Sequence, residues 1–400
     1  MRVLLVNKFY YPRGGDCMVV LNTEAMLREC GVEVEVFAMQ YPENLPTRFK
    51  NRFASEVSFG GGVGNKLRAL RRTLGVDDVQ QRFEAVLDEF QPDVVHLHNI
   101  HSYLSPVVGQ LAHRRGIRVV WTLHDYKLLC PRYDCLLDGK PCEQCFTGGK
   151  QGVLTHRCMK GSLPASVVAW MEAIKWNRGV LERNTDLYVC PSQFMADKMT
   201  KGGFDPAKMV VLNNFLDPIK FRLYQSLDHS APRQYYYCYV GRLSQEKGVA
   251  DLLEVASHLP YKLKVAGGGP LEQELRSKYG SCPQIEFLGM LDATAVASLL
   301  TDAMLSVAPS QCYENNPLSV IESLSAGTPV AGAQIGGIPE LIDEQSGVVF
   351  QPFDHEAMST AITTAMNRQW NHAAIASRSL QRFSAAAHYQ SLLHDVYLKG

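Results

Sequence analysis

Apolar residues fall in short β-branched runs separated by stretches of helical periodicity, and the alternation occurs twice. In the first half the runs are RVLLV (2–6), VEVEVF (32–37), PDVVHLHN (92–99), IRVVWTLHD (117–125), LYVCPS (187–192) and MVVLNNF (209–215). In the second half they are YYYCYVGR (235–242), YKLKVAGGG (261–269), IEFLGM (285–290), AMLSVAPS (303–310), TPVAGAQ (328–334) and GVVFQP (347–352). The intervening segments suit helices, such as 16–29, which Gly31 helps to end. Near-continuous apolar strands alternating with helices indicate parallel sheets covered on both faces. Two such sets predict an α/β chain of two doubly wound, Rossmann-like domains, 1–215 and 216–380, with the boundary near NNFLDPIKFR.

Open α/β sheets bind ligands beyond the carboxyl ends of their strands, so the loops there are where chemistry is expected. PRGG (12–15) follows the first strand, and Gly14 and Gly15 leave the start of the next helix open to a ligand or simply make a turn. His98 and Asn99 end another strand, and His124 and Asp125 a third; these side chains can orient hydroxyls or carry protons. His96, two positions before His98, reads as structural. In the second half GRLSQEKG (241–248) sets Arg242 and Lys247 around one turn, a pair of cations suited to a diphosphate that gains charge as it departs. GGGP (267–270) lets backbone approach a ligand at Gly268, but does not match the dinucleotide pattern G-x-G-x-x-G. In YENNPLSVIES (313–323), Asn316 is the expected N-cap and Pro317 the first helical residue. Glu314 then precedes the helix and Glu322 lies in its second turn, beside a helix N-terminus that suits phosphate.

Composition narrows the classes. The 400 residues carry ordinary apolar and charged fractions and zero formal net charge. Residues 1–215 hold 27 Lys+Arg against 22 Asp+Glu (+5), leaving 13 against 18 (−5) for the remainder. That mild asymmetry excludes a general nucleic-acid binder. The opening MRVLLVNKFYYP has too short an apolar run for a secretion signal, and no run is long enough for a bilayer. Eleven cysteines without such a signal point to reduced thiols and a cytoplasmic setting.

The ordered set of GRLSQEKG, VAGGGP, IEFLGML, YENNPLSVIESLSAGTPVAG, IGGIPELI and SGVVFQPFD resembles the nucleotide-sugar half of glycosyltransferase family 4, retaining enzymes of GT-B fold. VNKFYYPRGG, VVHLHN, TLHDYKLLCP and CPSQF resemble the family's first half, so the likeness runs along nearly the whole chain. The resemblance implies two Rossmann-like domains across a cleft, with a C-terminal helix (381–400) crossing back to the first. It implies transfer of a sugar from a nucleoside diphosphate to a glycan or lipid-linked acceptor, with retained configuration, in polysaccharide or glycolipid assembly. Glu314 would contact the donor sugar and Glu322 the ribose hydroxyls, with the backbone of Asn316, Pro317, Leu318 and Ser319 facing the sugar or its phosphates. Arg242 and Lys247 would stabilise the leaving diphosphate without a divalent metal. Gly14, Gly15 and Gly268 would line the donor, His124 would sit near the transferred sugar, and His98, Asn99 and Asp125 would face the acceptor. Relatives are often glycine-rich where this chain has Asn315, Asn316 and Pro317, which leaves the donor sugar open. A GT-B nucleotide-sugar epimerase or hydrolase is the alternative, ahead of a dinucleotide oxidoreductase or a non-catalytic sensor.

Two further features lie outside that set. CPRYDCLLDGKPCEQCFTGGKQGVLTHRC gathers five cysteines and His156 after TLHDY, with C-x-x-C at 142–145. From similar loops in relatives, Cys130, Cys142, Cys145 and Cys158 are the expected set for a structural zinc; reduced thiols or a redox pair are the other readings. RFKNRF (48–53) and NKLRALRRTLG (65–75) cluster Arg48, Lys50, Arg52, Lys66, Arg68, Arg71 and Arg72, with Leu67, Leu70 and Leu74 at helical spacing. A basic amphipathic helix of this kind suits peripheral contact with the inner membrane face, or packing on its own domain.

Overall fold

A computed structural model describes residues 1–59 and 63–399. Two compact units emerge: residues 1–135, 142–213 and 389 onward form the first, and 214–388 with 136–141 the second.

The strands are β1 (Arg2–Val6), β2 (Glu33–Phe37), β3 (Val94–Leu97), β4 (Arg118–Thr122), β5 (Leu136–Leu137), β6 (Lys140–Pro141), β7 (Leu187–Cys190) and β8 (Met209–Val211), then β9 (Gln234–Val240), β10 (Lys262–Ala266), β11 (Ile285–Gly289), β12 (Ala303–Ala308), β13 (Val330–Ala333) and β14 (Gly347–Phe350). All twelve apolar runs become parallel sheet strands. The first sheet has order β2-β1-β3-β4-β7-β8 and reverses direction of growth between β1 and β3. The second has order β11-β10-β9-β12-β13-β14, which is 3-2-1-4-5-6 counted within the unit, and reverses between β9 and β12. Period-2 alternation divides its core: Tyr237 and Tyr239 of β9 pack on one face, Tyr236 and Cys238 on the other.

The β5–β6 hairpin turns at Asp138-Gly139, both at positive φ (50° and 76°), the D-G signal of a tight hairpin. The C-terminal boundary differs from the expected 381. The helix His372–Arg382 belongs to the second unit, where Ser379 Oγ meets Ser325 Oγ at 2.8 Å and the Leu216 amide donates to the Phe383 carbonyl at 3.0 Å. Only from Tyr389 does the chain join the first unit; there Tyr397 Oη bonds His96 Nδ1 (2.7 Å) and the Val396 carbonyl accepts from Arg118 Nε (2.9 Å).

The basic segments divide between the two expected readings: Lys66, Leu67, Arg68 and Arg71 stay exposed, while other cations turn to their own unit. The helix Val63–Thr73 forms, but Arg72 is its inward residue, 0% exposed, paired with Asp77 and with Asp78 (2.7 Å) and donating to the Tyr103 carbonyl (2.8 Å). Arg48 and Arg52 pair with Glu89 at 3.0 and 3.5 Å. These three cations are neutralised by their own unit because carboxylates face them. Among the described residues no helix is long and apolar enough to cross a membrane.

Candidate active site

In the second unit, the loops after β9, β10 and β12 converge at the point where strand order reverses, and glycines let them touch. Gly248 has φ +66°, and a Cβ there would lie 2.0 Å from the Pro309 carbonyl oxygen. Gly336 has φ +61°; its Cβ would fall 2.2 Å from the Glu314 carbonyl oxygen, which also accepts from the Gly337 amide at 2.7 Å. Backbone contact on one side thus fixes Glu314.

Its carboxylate forms an ion pair with Lys247 and accepts from Ser310 Oγ at 2.8 Å. Burial opposes charge on Lys247, but Glu314, with Cys312 and Glu246 nearby, outweighs it and raises the ammonium pKa. Arg242 is exposed, and its side chain makes no ion pair among the described residues; its carbonyl accepts from Tyr239 Oη at 2.8 Å. Gly267 and Gly269 let the β10 loop press against Gly241 and Leu243, whereas a Cβ on Gly268 would meet only the Glu272 and Met290 side chains, at 3.2 Å or more.

The helix after β12 is Leu318–Ser325, with Pro317 as its N-cap. Asn316 does not cap it, contrary to expectation. Its Oδ1 accepts from the Asn214 amide (2.8 Å) and its carbonyl from Asn214 Nδ2 (2.7 Å), so the side chain is committed elsewhere. The helix therefore starts with no side-chain acceptor for its first amides, which are free to face an anion. Glu322 is buried in the second turn and pairs with Lys220. Lys220 sits in the first turn of Pro218–Gln225, capped by Asp217, which accepts from the Ile219 and Lys220 amides at 3.0 and 2.9 Å. Sequence reasoning passed over Lys220 because it lay in the boundary segment; the D-P-x-K helix start was the available signal.

In the first unit, Gly14 is the extended N-cap and Gly15 the first residue of the helix Gly15–Glu29, directly after β1. Neither has positive φ, and a Cβ on Gly15 would meet nothing within 4 Å. Beside them at the β1/β3 reversal lie His98, Asn99, His124 and Asp125. His98 Nδ1 and His124 Nε2 share a hydrogen bond of 3.0 Å, and burial holds both imidazoles below the usual range, His124 at about 4. Asn99 Nδ2 donates to Asp16 Oδ2 (2.8 Å), which also pairs with Lys8 (3.5 Å). Asp16 and Lys8 were not singled out from the sequence, although Asp16 directly follows Gly15 in the first helical turn. Asp125 Oδ1 accepts from the Lys127 amide (2.9 Å) and lies 4.0 Å from His101 Nε2; burial raises its pKa. His96 is saturated by Tyr397 and by Thr122 Oγ1, 2.7 Å each.

The expected zinc ligands do not fit a metal as they stand. Among the described residues no three His, Cys, Asp or Glu side chains are placed to hold an ion. Cys130 instead hydrogen-bonds Cys135, a thiol outside the expected set of Cys130, Cys142, Cys145 and Cys158.

Residues 14–220 match the family model described as Glycosyltransferase Family 4, and residues 228–384 that of glycosyl transferases group 1. Over 219 residues the chain is 27% identical to sulfoquinovosyl transferase SQD2 of Arabidopsis thaliana, covering 51% of this chain and 42% of that protein. A 42.6 kDa protein of the Klebsiella pneumoniae cps region is 25% identical over 365 residues, 85% and 87% of the two chains. The chain spans less than half the length of the first curated relatives it matches. Among solved structures, apo lipopolysaccharide outer core galactosyltransferase WaaB superposes with TM-score 0.68 at 15% identity over 99% of each chain. Anabaena HepE, solved in complex with UDP-glucose, gives 0.63 at 17% identity over 99% of each. These likenesses establish the fold.

Proposed function

The chain belongs to glycosyltransferase family 4, and from that premise we propose that it moves a hexose from a nucleoside-diphosphate sugar to a glycan or lipid-linked acceptor, with retained anomeric configuration, in polysaccharide or glycolipid assembly. The observation that carries the reading is the Lys247–Glu314 pair at the β9/β12 reversal, beside a helix start with no side-chain cap. Lys247 and Arg242 supply positive charge where the diphosphate leaves, and the free amides of the Leu318–Ser325 helix supply a dipole of the same sign. Glu314 binds sugar hydroxyls and offsets charge on the anomeric carbon. Glu322, fixed by Lys220, holds the ribose hydroxyls. The bond from the anomeric carbon to the diphosphate oxygen breaks as the bond to the acceptor oxygen forms, and the acceptor proton passes to a phosphate oxygen of the leaving group. No protein base is needed for that step. On the first unit, His98, Asn99, His124 and Asp125 supply the acceptor side, with Gly14 and Gly15 leaving a helix start open.

The UDP-glucose complex of HepE and the sugar-transferring relatives support a nucleotide-sugar donor. Product analysis with a panel of nucleotide sugars and acceptors tests the reading. A new glycosidic bond with the donor's anomeric configuration is the expected result. Donor consumption unaffected by any acceptor would replace transferase with hydrolase or epimerase.

A further inference from the structure

In the first unit, three tyrosines surround one buried phenylalanine in the loop after β1. The rings of Tyr11, Tyr41 and Tyr103 pack around Phe9 with centroids 5.6, 5.3 and 5.8 Å away. All three are half-buried, and Phe59, 42% exposed, stands edge-on to Tyr103 at 5.3 Å. Packing accounts for Phe9 but not for what the tyrosines leave open. The Tyr41 and Tyr103 hydroxyls make no hydrogen bond among the described residues, and that of Tyr11 accepts from Arg13 Nη1 at 3.1 Å. Arg13 is exposed, lies with its Cζ 4.1 Å from the Phe9 ring centre, and has no carboxylate partner among the described residues. Slight burial opposes its charge, but the Tyr11 hydrogen bond and the Tyr11, Tyr103 and Tyr41 hydroxyls outweigh it and raise its pKa. Three phenols thus lie around one guanidinium.

The backbone is strained where it presents Tyr103. Ser102 and Ser105 on either side of it occupy the left-handed region, φ +58° and +67°, which residues other than glycine seldom adopt. Buried Glu172 holds the first, accepting from the Ser102 amide and hydroxyl at 2.8 and 2.9 Å, and the Ser105 amide donates to the Ile100 carbonyl at 3.1 Å. Strain retained this way shows that the rest of the fold dictates where the loop points. Lys8 then joins the tyrosines to the acceptor side. Its ammonium lies 5.8 Å from the Tyr103 ring and 3.5 Å from Asp16 Oδ2, the oxygen that also accepts from Asn99.

Aromatic faces, phenols and a guanidinium together match a saccharide. Its ring C–H groups lie against the electron-rich face, and its hydroxyls exchange hydrogen bonds with the phenols and accept from arginine. An alkyl chain would cover the rings but leave the phenols unpaired. We propose that Tyr11, Tyr41 and Tyr103, with Arg13, form an acceptor subsite for a saccharide ring, so that the acceptor is sugar-bearing and not a bare lipid phosphate. The subsite's place in the reaction rests on the proposed transfer; its affinity for saccharide does not.

The probes are the methyl glycosides of glucose, galactose, mannose, N-acetylglucosamine and glucuronic acid, read by saturation-transfer NMR on the full chain without donor. Each presents C–H groups on a ring face, so at least one should receive saturation at its ring protons. Tyr11→Leu with Tyr41→Leu keeps apolar volume against Phe9 but removes two flat faces and their hydroxyls, and should weaken that binding roughly tenfold. Thermal unfolding verifies that the double variant folds; if it does not, Arg13→Gln, at an exposed position, decides alone and should also weaken binding. Saturation of none of the five sugars, or binding unchanged in the deciding variant, would overturn the proposal. So would hexyl phosphate bound with the same dependence on the two tyrosines. A chain that binds sugar here but transfers none would defeat the transferase instead, so the two failures are distinct.

Discussion

The Lys247 ammonium pairs with Glu314 across 67 residues of sequence, because the loops after β9 and β12 meet at Gly248. In the proposed transfer the pair would serve two parts of one donor, Lys247 the diphosphate and Glu314 the sugar.

Arg242 and Lys247 should fail differently when replaced. Arg242→Ala removes an exposed side chain without an ion-pair partner, so the melting temperature should stay within about a degree or two while turnover falls roughly a hundredfold. Lys247→Ala should lower turnover similarly and also destabilise, since it leaves the largely buried Glu314 carboxylate without its cation. Steady-state kinetics beside thermal unfolding decide; unchanged turnover in both variants would remove the diphosphate assignment.

Two glycines in adjoining loops separate packing from ligand access. Gly248→Ala meets both a positive φ and the Pro309 carbonyl, so it should cost at least about 2 kcal/mol of stability. Gly268→Ala meets only flexible side chains, so stability should hold while affinity for the nucleoside diphosphate drops. Denaturant titration and calorimetry read the two effects. Tight nucleotide binding by Gly268→Ala would take that glycine out of the donor site.

Buried His98 and partly buried His124 make stability depend on pH. Burial holds His124 at about 4 and His98 well below the usual range, so both are neutral when folded. Unfolded, they take up protons as pH drops below about 6.5. The unfolded state then binds more protons, and stability falls with falling pH, by up to about 1.4 kcal/mol per unit per histidine. His124→Gln should flatten that dependence between about pH 6.5 and 4.5, measured as melting temperature against pH. An unchanged slope would count against a neutral His124.

Strand placement was legible because each apolar run is long enough for one strand and bounded by turn residues. The twelve strands and the loops that carry His98, His124, Arg242, Lys247 and Glu314 follow from that pattern, whereas the strand order and its reversal points come only from the fold. What stayed hidden depends on contacts distant in sequence. Asn316 has every local credential of an N-cap, but Asn214, 102 residues away, takes its side chain. Arg72 looked like one more surface cation until Asp77 and Asp78 turned it inward. Lys220 acquires meaning only through Glu322, also 102 residues distant. Local propensity sets elements, and tertiary partners decide which polar groups remain available.

The two glutamates of YENNPLSVIES provide the sharpest test, since each has its own lysine. Glu314→Gln keeps the size of the side chain but loses the charge that, in the proposed transfer, binds sugar hydroxyls and strengthens as the anomeric carbon becomes cationic. That interaction grows in the transition state, so turnover should fall severely while affinity for the free nucleoside diphosphate stays near that of wild type. In the same proposal Glu322→Gln weakens a ribose contact that would be present in ground and transition states alike. It should mainly weaken nucleotide and donor binding, by about 1.5–3 kcal/mol, or roughly tenfold to a hundredfold. Lys220→Ala should follow Glu322→Gln, because the lysine positions that carboxylate. It should not follow Glu314→Gln, whose partner is Lys247. Two acids with purely structural ion pairs would instead produce loss of stability in all three variants, with nucleotide affinity restored wherever folding is intact. Calorimetry with the nucleoside diphosphate, steady-state kinetics and thermal unfolding on the same preparations separate these outcomes. Equal loss of nucleotide affinity in Glu314→Gln and Glu322→Gln would defeat the division of roles even if sugar transfer were confirmed.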